Sequence, residues 1–127
     1  MVTWILWALI LAMLAWMGFN YLRIRRAAKI VDNEEFEALI RTGQLIDLRD
    51  PAEFHRKHIL GARNIPSSQL KTSLAALRRD KPVLLYENQR AQRVTNAALY
   101  LKKQDFSEIY ILSYGLDSWK GKVKVEK

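Results

Sequence analysis

The 127-residue sequence predicts an α/β domain with a central parallel sheet, preceded by one transmembrane helix. Two observations carry this. Residues 2–19, VTWILWALILAMLAWMGF, hold no charge, and Arg23, Arg25, Arg26 and Lys29 follow at once. Further on, short apolar runs alternate with segments of helical spacing, the pattern of strands buried on both faces by crossover helices.

As a helix the apolar run is about 27 Å long, close to the hydrocarbon thickness of a bilayer. A cleaved signal peptide fits less well: a basic leading region is absent, the apolar stretch is long, and AWMGFNYLRIRR places bulk where a peptidase needs small residues. Lys/Arg bias beside a span marks the cytoplasmic side, so the C-terminal domain is expected in the cytoplasm. Trp4, Trp7, Trp16 and Tyr21 lie near the ends of the run, at headgroup level or as lipid-facing bulk. The expected division is 1–22 transmembrane helix, 23–32 basic juxtamembrane linker and 33–127 α/β domain. Membrane lipid is the expected partner of residues 2–19.

All of the net charge of +8 lies beyond residue 22. The juxtamembrane cluster favours anionic lipid. The remaining cations are interspersed with acids and lack the basic stripe with interleaved aromatics that nucleic-acid binding would want, so no nucleic-acid partner is expected. With no cysteine in the chain, disulfides, thiolate metal sites and thiol nucleophiles are excluded. His55 and His58 alone do not make a metal site, and no metal or cofactor is expected.

Along the soluble part, Asn33 precedes EEFEALI, an amphipathic helix with acids in its first turn that Gly43 ends. Gln44–Arg49 reads as a strand, and Asp50-Pro51 opens a helix, PAEFHRKH. Residues 61–66 run extended. Ser67 or Ser68 is expected to cap a helix to about Arg79, with Leu70, Leu74 and Leu77 on one face. Val83–Tyr86 is a buried strand, followed by the polar loop 87–93 and the helix VTNAALYLKKQ. Glu108–Leu112 is another strand, and LDSWKG a last short helix. The tail KGKVKVEK either adds an edge strand or stays mobile. In such folds ligands sit at the carboxyl ends of strands, where a strand feeds a helix N-terminus. That singles out Glu87, Asn88, Gln89, Arg90, Ala91, Gln92 and Arg93 as the binding loop.

Three segments in series, LIDLRDPAEFHRKHILGARNIP, PVLLYENQRAQR and IYILSYGLDSWKG, resemble the signatures of rhodanese-like domains over about residues 33–121. The resemblance implies a three-layer α/β domain with a central parallel sheet. It also implies a cysteine directly after the strand, heading a glycine-containing loop whose N–H groups cradle a persulfide or anion. Glu87 stands at that position, the glycine is missing, and the loop is about one residue longer. A carboxylate cannot accept and hand on a sulfane sulfur, so sulfur transfer of the thiosulfate type is excluded.

Two readings of Glu87 follow. Its carboxylate fills the anion cradle, taking the loop's N–H groups and pairing with Arg90 or Arg93; an open ligand site is disfavoured, because fixed negative charge repels anions. Alternatively, Glu87 serves a small phosphoryl-transfer or hydrolytic enzyme as nucleophile, with Arg90 or Arg93 as oxyanion clamp and Asp47 or Asp50 close by. The first reading leads to a catalytically inactive, membrane-anchored module that binds a protein partner through residues 87–93. Asp47 and Arg49 are expected to make structural ion pairs, His58 to be a packed, hydrogen-bonded histidine, and Trp119 to be core.

Overall fold

The structure, a computed structural model, describes residues 2–88 and 92–125, the side chains of residues 24 and 25 excepted. It begins with α1 (Val2–Ala27), 26 residues and about 39 Å long. Its Val2–Arg23 portion is long and apolar enough to cross a membrane, and none of it is buried by the rest of the chain.

The domain then runs β1 (Lys29–Val31), α2 (Asn33–Ile40), β2 (Gln44–Asp47), α3 (Pro51–Arg56), β3 (Lys57–Ile59), β4 (Arg63–Asn64), β5 (Val83–Tyr86), α4 (Gln92–Lys103), β6 (Ile109–Leu112) and β7 (Val123–Val125). Five strands form one sheet in the order β1-β6-β5-β2-β4, every pair parallel. Alternation along each strand divides the core in two. Ile46, Val83, Leu85, Ile109 and Ile111 meet α4 through Val94, Ala97, Ala98 and Leu101. Leu45, Leu84, Tyr86 and Leu112 meet Phe36 of α2 and Leu116 on the other face. The result is the three-layer α/β arrangement expected from the alternating elements.

Several local expectations are corrected. The cap of α2 is Asp32, whose carboxylate accepts the Glu35 N–H at 2.9 Å, rather than Asn33. The stretch 23–32, expected as a linker, holds the end of α1 and the whole of β1, a strand too short to show amid flanking cations. The third helix stops at Arg56, and Lys57–Ile59 turns into a strand pairing antiparallel with β7, so the tail does form an edge strand.

The helix expected over 67–79 is two 3₁₀ turns, Ser67–Gln69 and Leu74–Ala76. Between them the Thr72 hydroxyl donates to the Gln69 carbonyl at 2.9 Å, the kind of side-chain bond that competes with a helix ladder. Beyond the second turn, Gln44 brackets Arg78, accepting its N–H and donating to its carbonyl, both at 2.7 Å. Leu70 and Leu77 are buried all the same, which is what the helical face was expected to achieve. The last short helix is likewise a 3₁₀ turn, Leu116–Ser118.

Phe36 is the only buried side chain of α2 and meets Trp119 edge-on, with ring centroids 5.8 Å apart. Trp119 itself is half-buried. Phe36→Ala should lower stability by about 3–5 kcal/mol in chemical denaturation, because one ring holds the helix to its face of the sheet.

Candidate functional site

The site is assembled where β2 and β5 end. Asp47, the last residue of β2, is fully buried, and Arg49 is 4% exposed. The Asp47 carboxylate accepts the Arg49 backbone N–H at 2.9 Å, its Nε at 3.0 Å and its Nη2 at 2.8 Å. It also accepts the Tyr86 hydroxyl at 2.7 Å, and that hydroxyl takes the Ile59 N–H at 3.1 Å. A phenol at the end of an aliphatic strand is the signal that a buried polar partner awaits it.

These surroundings set the ionisation of the group. Burial pushes the Tyr86 phenol upward, and the charge of Asp47 and its hydrogen bond push it further. Burial works against the Arg49 guanidinium, but the hydrogen bonds and charge of Asp47 prevail and raise its pKa. Arg49 also donates to the Lys57 carbonyl and, at 3.0 Å, to Asn88 Oδ1. Asn88 Nδ2 donates in turn to Glu53 at 2.8 Å. One buried ion pair therefore ties the start of the 87–93 loop to β2, α3 and β3.

The loop is held from its other side by the chain after β6. Gly115 has φ +69°, and a Cβ there would lie 2.5 Å from the carbonyl oxygens of Glu87 and Asn88. This close approach lets Leu116 N–H donate to Glu87 O at 2.8 Å and Asp117 N–H to Asn88 O at 3.0 Å.

Glu87 is 8% exposed, and its Oε2 accepts the Val94 N–H at 3.0 Å. Val94 is the third described residue of α4, and its amide faces the start of the loop. The carboxylate sits at the positive end of the helix dipole, where a bound anion would otherwise sit. The expected pairing with Arg93 is not found. Arg93 is exposed and makes no ion pair among the described residues, because it lies on the outward side of the first turn while the Val94 amide meets the loop. Gln89, Arg90 and Ala91 lie outside the described residues, and Gln92 is exposed, with its amide donating to Asn96 at 2.9 Å.

A groove of about 300 Å³ beside the loop is lined by Ser67, Ser68, Lys71, Arg93, Asn96 and Tyr100. On the other side of Asn88, a polar recess of about 190 Å³ is lined by Arg49, Glu53, Arg56, Lys57 and Asp117. Among the described residues no three His, Asp or Glu side chains converge as a metal ligand set would. His58 is half-buried, stacked on Phe54 at 3.8 Å, with Nδ1 2.7 Å from the Phe54 carbonyl. It is a packed, hydrogen-bonded residue.

A family model described as "Rhodanese-like domain" matches residues 32–122. The chain belongs to the rhodanese-like domain family. It is similar to the uncharacterized protein YqhL of Bacillus subtilis, 47% identical over 116 residues that cover 91% of each chain. It is also 35% identical to the thiosulfate sulfurtransferase GlpE of Stutzerimonas stutzeri, over 72% of this chain and 84% of that one. Among solved structures, a rhodanese-related protein from Thermoplasma volcanium superposes with a TM-score of 0.70 at 24% identity, over 77% of this chain and 99% of that one. This rhodanese-like domain has no cysteine in its sequence and carries Glu87 directly after β5.

Two predictions follow from the geometry. Tyr86→Phe leaves Asp47 and the Ile59 N–H each short of a buried partner and should cost about 1–3 kcal/mol in chemical denaturation. Because the folded-state phenol is raised above its ordinary value of 10.0, the folded chain holds a proton that the unfolded one releases. This contribution is complete below pH about 10 and declines as pH rises beyond it, so Tyr86→Phe should flatten the alkaline loss of stability. Gly115→Ala adds a Cβ at positive φ against two carbonyls and should destabilise by more than about 1 kcal/mol, loosening the loop as read by hydrogen exchange at Leu116 and Asp117.

Proposed function

We propose that the chain is a membrane-anchored rhodanese-like domain that performs no sulfur transfer and binds a protein partner at the cytoplasmic face through residues 87–93. The observation that carries this reading is the Glu87 carboxylate on the Val94 amide. A side chain of the protein occupies the helix N-terminus that an anionic substrate would need. At about 4 Å and an effective dielectric near 20, each unit of like charge opposes an incoming anion by about 4 kcal/mol, roughly a thousandfold in affinity.

The GlpE relatives are named for thiosulfate sulfurtransfer. Transfer through a cysteine persulfide is closed to this chain, which contains no thiol. Nucleophilic use of Glu87 draws no support either, since Asp47 is engaged with Arg49 and Tyr86. What the scaffold retains is a loop start fixed from two sides, with exposed Gln92 and Arg93 beside a groove, the kind of pre-organised surface that suits recognition.

Anchoring rests on α1, and orientation on the cations directly after its apolar stretch, which favour the cytoplasmic side. Together they limit partners to proteins that meet the inner membrane surface.

In a thiosulfate-to-cyanide assay, the wild-type chain should show no turnover above buffer, and Glu87→Cys alone should remain inactive because the loop also departs from the family's glycine-containing form. Brisk turnover in that variant would contradict this account of the loop. In native membranes, a photocrosslinking residue at Arg93 should capture a discrete protein adduct that one at Lys103, about 15 Å along α4, does not. Identical protein adducts from both positions, or none from Arg93, would overturn the recognition role.

A further inference from the structure

The five strands of the main sheet run the same way, so their N-terminal ends share one pole of the domain and their carboxyl ends the other. Gln44, Val83 and Ile109 lie side by side, and Lys29 pairs one residue further along, with Tyr110. The chain from α1 enters at this pole. The helix ends at Ala27, Ala28 is buried in the core, and β1 begins at Lys29 with no loop between. The 87–93 loop leaves β5 at the opposite pole, together with Arg49 and Gly115.

Charge divides along the same axis. The segments leading into the strands carry Arg26, Lys29, Arg41, Lys81, Lys102 and Lys103, all exposed. Among the described residues only Lys29 of these comes within 4.0 Å of an acid, Glu35 at 3.9 Å, and both side chains are more than half exposed. Asp80 is taken by Arg78 at 2.6 Å, which leaves Asp105 and Glu108 beside Glu35 as the opposing acids. The loop pole mixes signs: Asp32, Asp50, Glu53, Glu87 and Asp117 lie among Arg49, Arg56, Lys57 and Arg93. The surplus of positive charge therefore belongs to the pole at which the apolar helix arrives.

We infer that the whole strand-entry pole, and not the juxtamembrane cations alone, is a docking face for an anionic phospholipid surface that turns the 87–93 loop away from the bilayer. The inference rests on α1 being a membrane span. From Arg23, where the apolar stretch closes, to Ala27, where the helix ends one residue before β1, is about 6 Å of helical rise. That is within one Debye length at physiological salt, so cations spread over four separate strand entries feel the lipid charge together. The helix-to-strand junction admits little swivel, because Ala27 and Ala28 are each 5% exposed and packed into the domain. A partner for the loop is then approached from the aqueous side.

The test uses the full chain, whose lack of cysteine allows single labels. Ser107→Cys places a fluorophore at the strand-entry pole, just before β6, and Tyr114→Cys places one at the loop pole, just after it; both positions are exposed. Each is reconstituted into vesicles of phosphatidylcholine with or without phosphatidylglycerol, carrying a quencher on the lipid headgroup. The Ser107 label should be quenched several-fold more on the phosphatidylglycerol vesicles at low salt. That excess should vanish at about 0.5 M salt, where screening is nearly complete. It should also fall in the combined variant Arg41→Gln, Lys81→Gln, Lys102→Gln and Lys103→Gln, while the Tyr114 label stays unquenched throughout. Flotation with neutral vesicles at high salt reads the anchor separately. A chain that does not float overturns the span and the docking face with it. A chain that floats but shows Ser107 quenching indifferent to lipid charge, or Tyr114 quenched as strongly, keeps its anchor and overturns the docking face.

Discussion

The buried ion pair between Asp47 and Arg49 is the constraint on which the rest of the site depends. Its carboxylate terminates β2 and holds the only hydroxyl of β5, and its guanidinium reaches the Lys57 carbonyl and Asn88. A charge pair taken this far out of water is stabilising only when its remaining donors and acceptors are satisfied. Here the leftover valences are the bonds that fasten β3 and the loop to the sheet. Removing either partner would leave an unpaired buried charge and disturb the Arg49 bond to Asn88, so local stability and the geometry of the loop start are coupled in this chain.

The start of the same loop shows how a helix N-terminus can be met by a side chain of its own chain. Parallel strands deliver a chain to a helix N-terminus whose amides need acceptors. In this chain Glu87 provides one internally, through Val94. The rhodanese-like fold is present, and Gly115 lets the Leu116 turn close over Glu87 and Asn88. On the proposed binding role, the exposed Gln92 and Arg93 are the described residues of the loop that a partner would meet.

Much of the fold was legible because its signals are local and redundant. Three apolar runs, a capped amphipathic helix and the alternation of elements each pointed to the same parallel sheet. β1 was not legible: three residues between cations offer no periodicity, and the strand exists because β6 has an open edge beside it. The segment 67–77 looked helical because Leu70, Leu74 and Leu77 are spaced as a helix would space them. The Thr72 hydroxyl and the Gln44 amide, one local and one distant, drew the backbone into separate turns instead. At the site, a Glu87 carboxylate turned toward the amides that follow it could be argued from the resemblance and from charge, and the Val94 N–H bond agrees with that direction. An acceptor bond from a backbone amide was expected along with pairing to Arg90 or Arg93; that Arg93 turns outward could not be read, because it requires knowing which way the first turn of α4 faces. The contribution of Gly115 was hidden for a similar reason, since its nearest neighbours are 27 and 28 residues away in the chain.

The central claim is that Glu87 itself occupies the helix N-terminus, and the Val94 amide reports on it most directly. In proton–nitrogen spectra of the full chain in micelles, the Val94 amide proton should lie downfield at neutral pH and move upfield as a single carboxylate is protonated. In Glu87→Gln that pH dependence should disappear while neighbouring amides keep theirs. A Val94 amide that ignores acidification in the wild-type chain, or that shifts when thiosulfate is added at neutral pH, would show an open cradle and contradict the account.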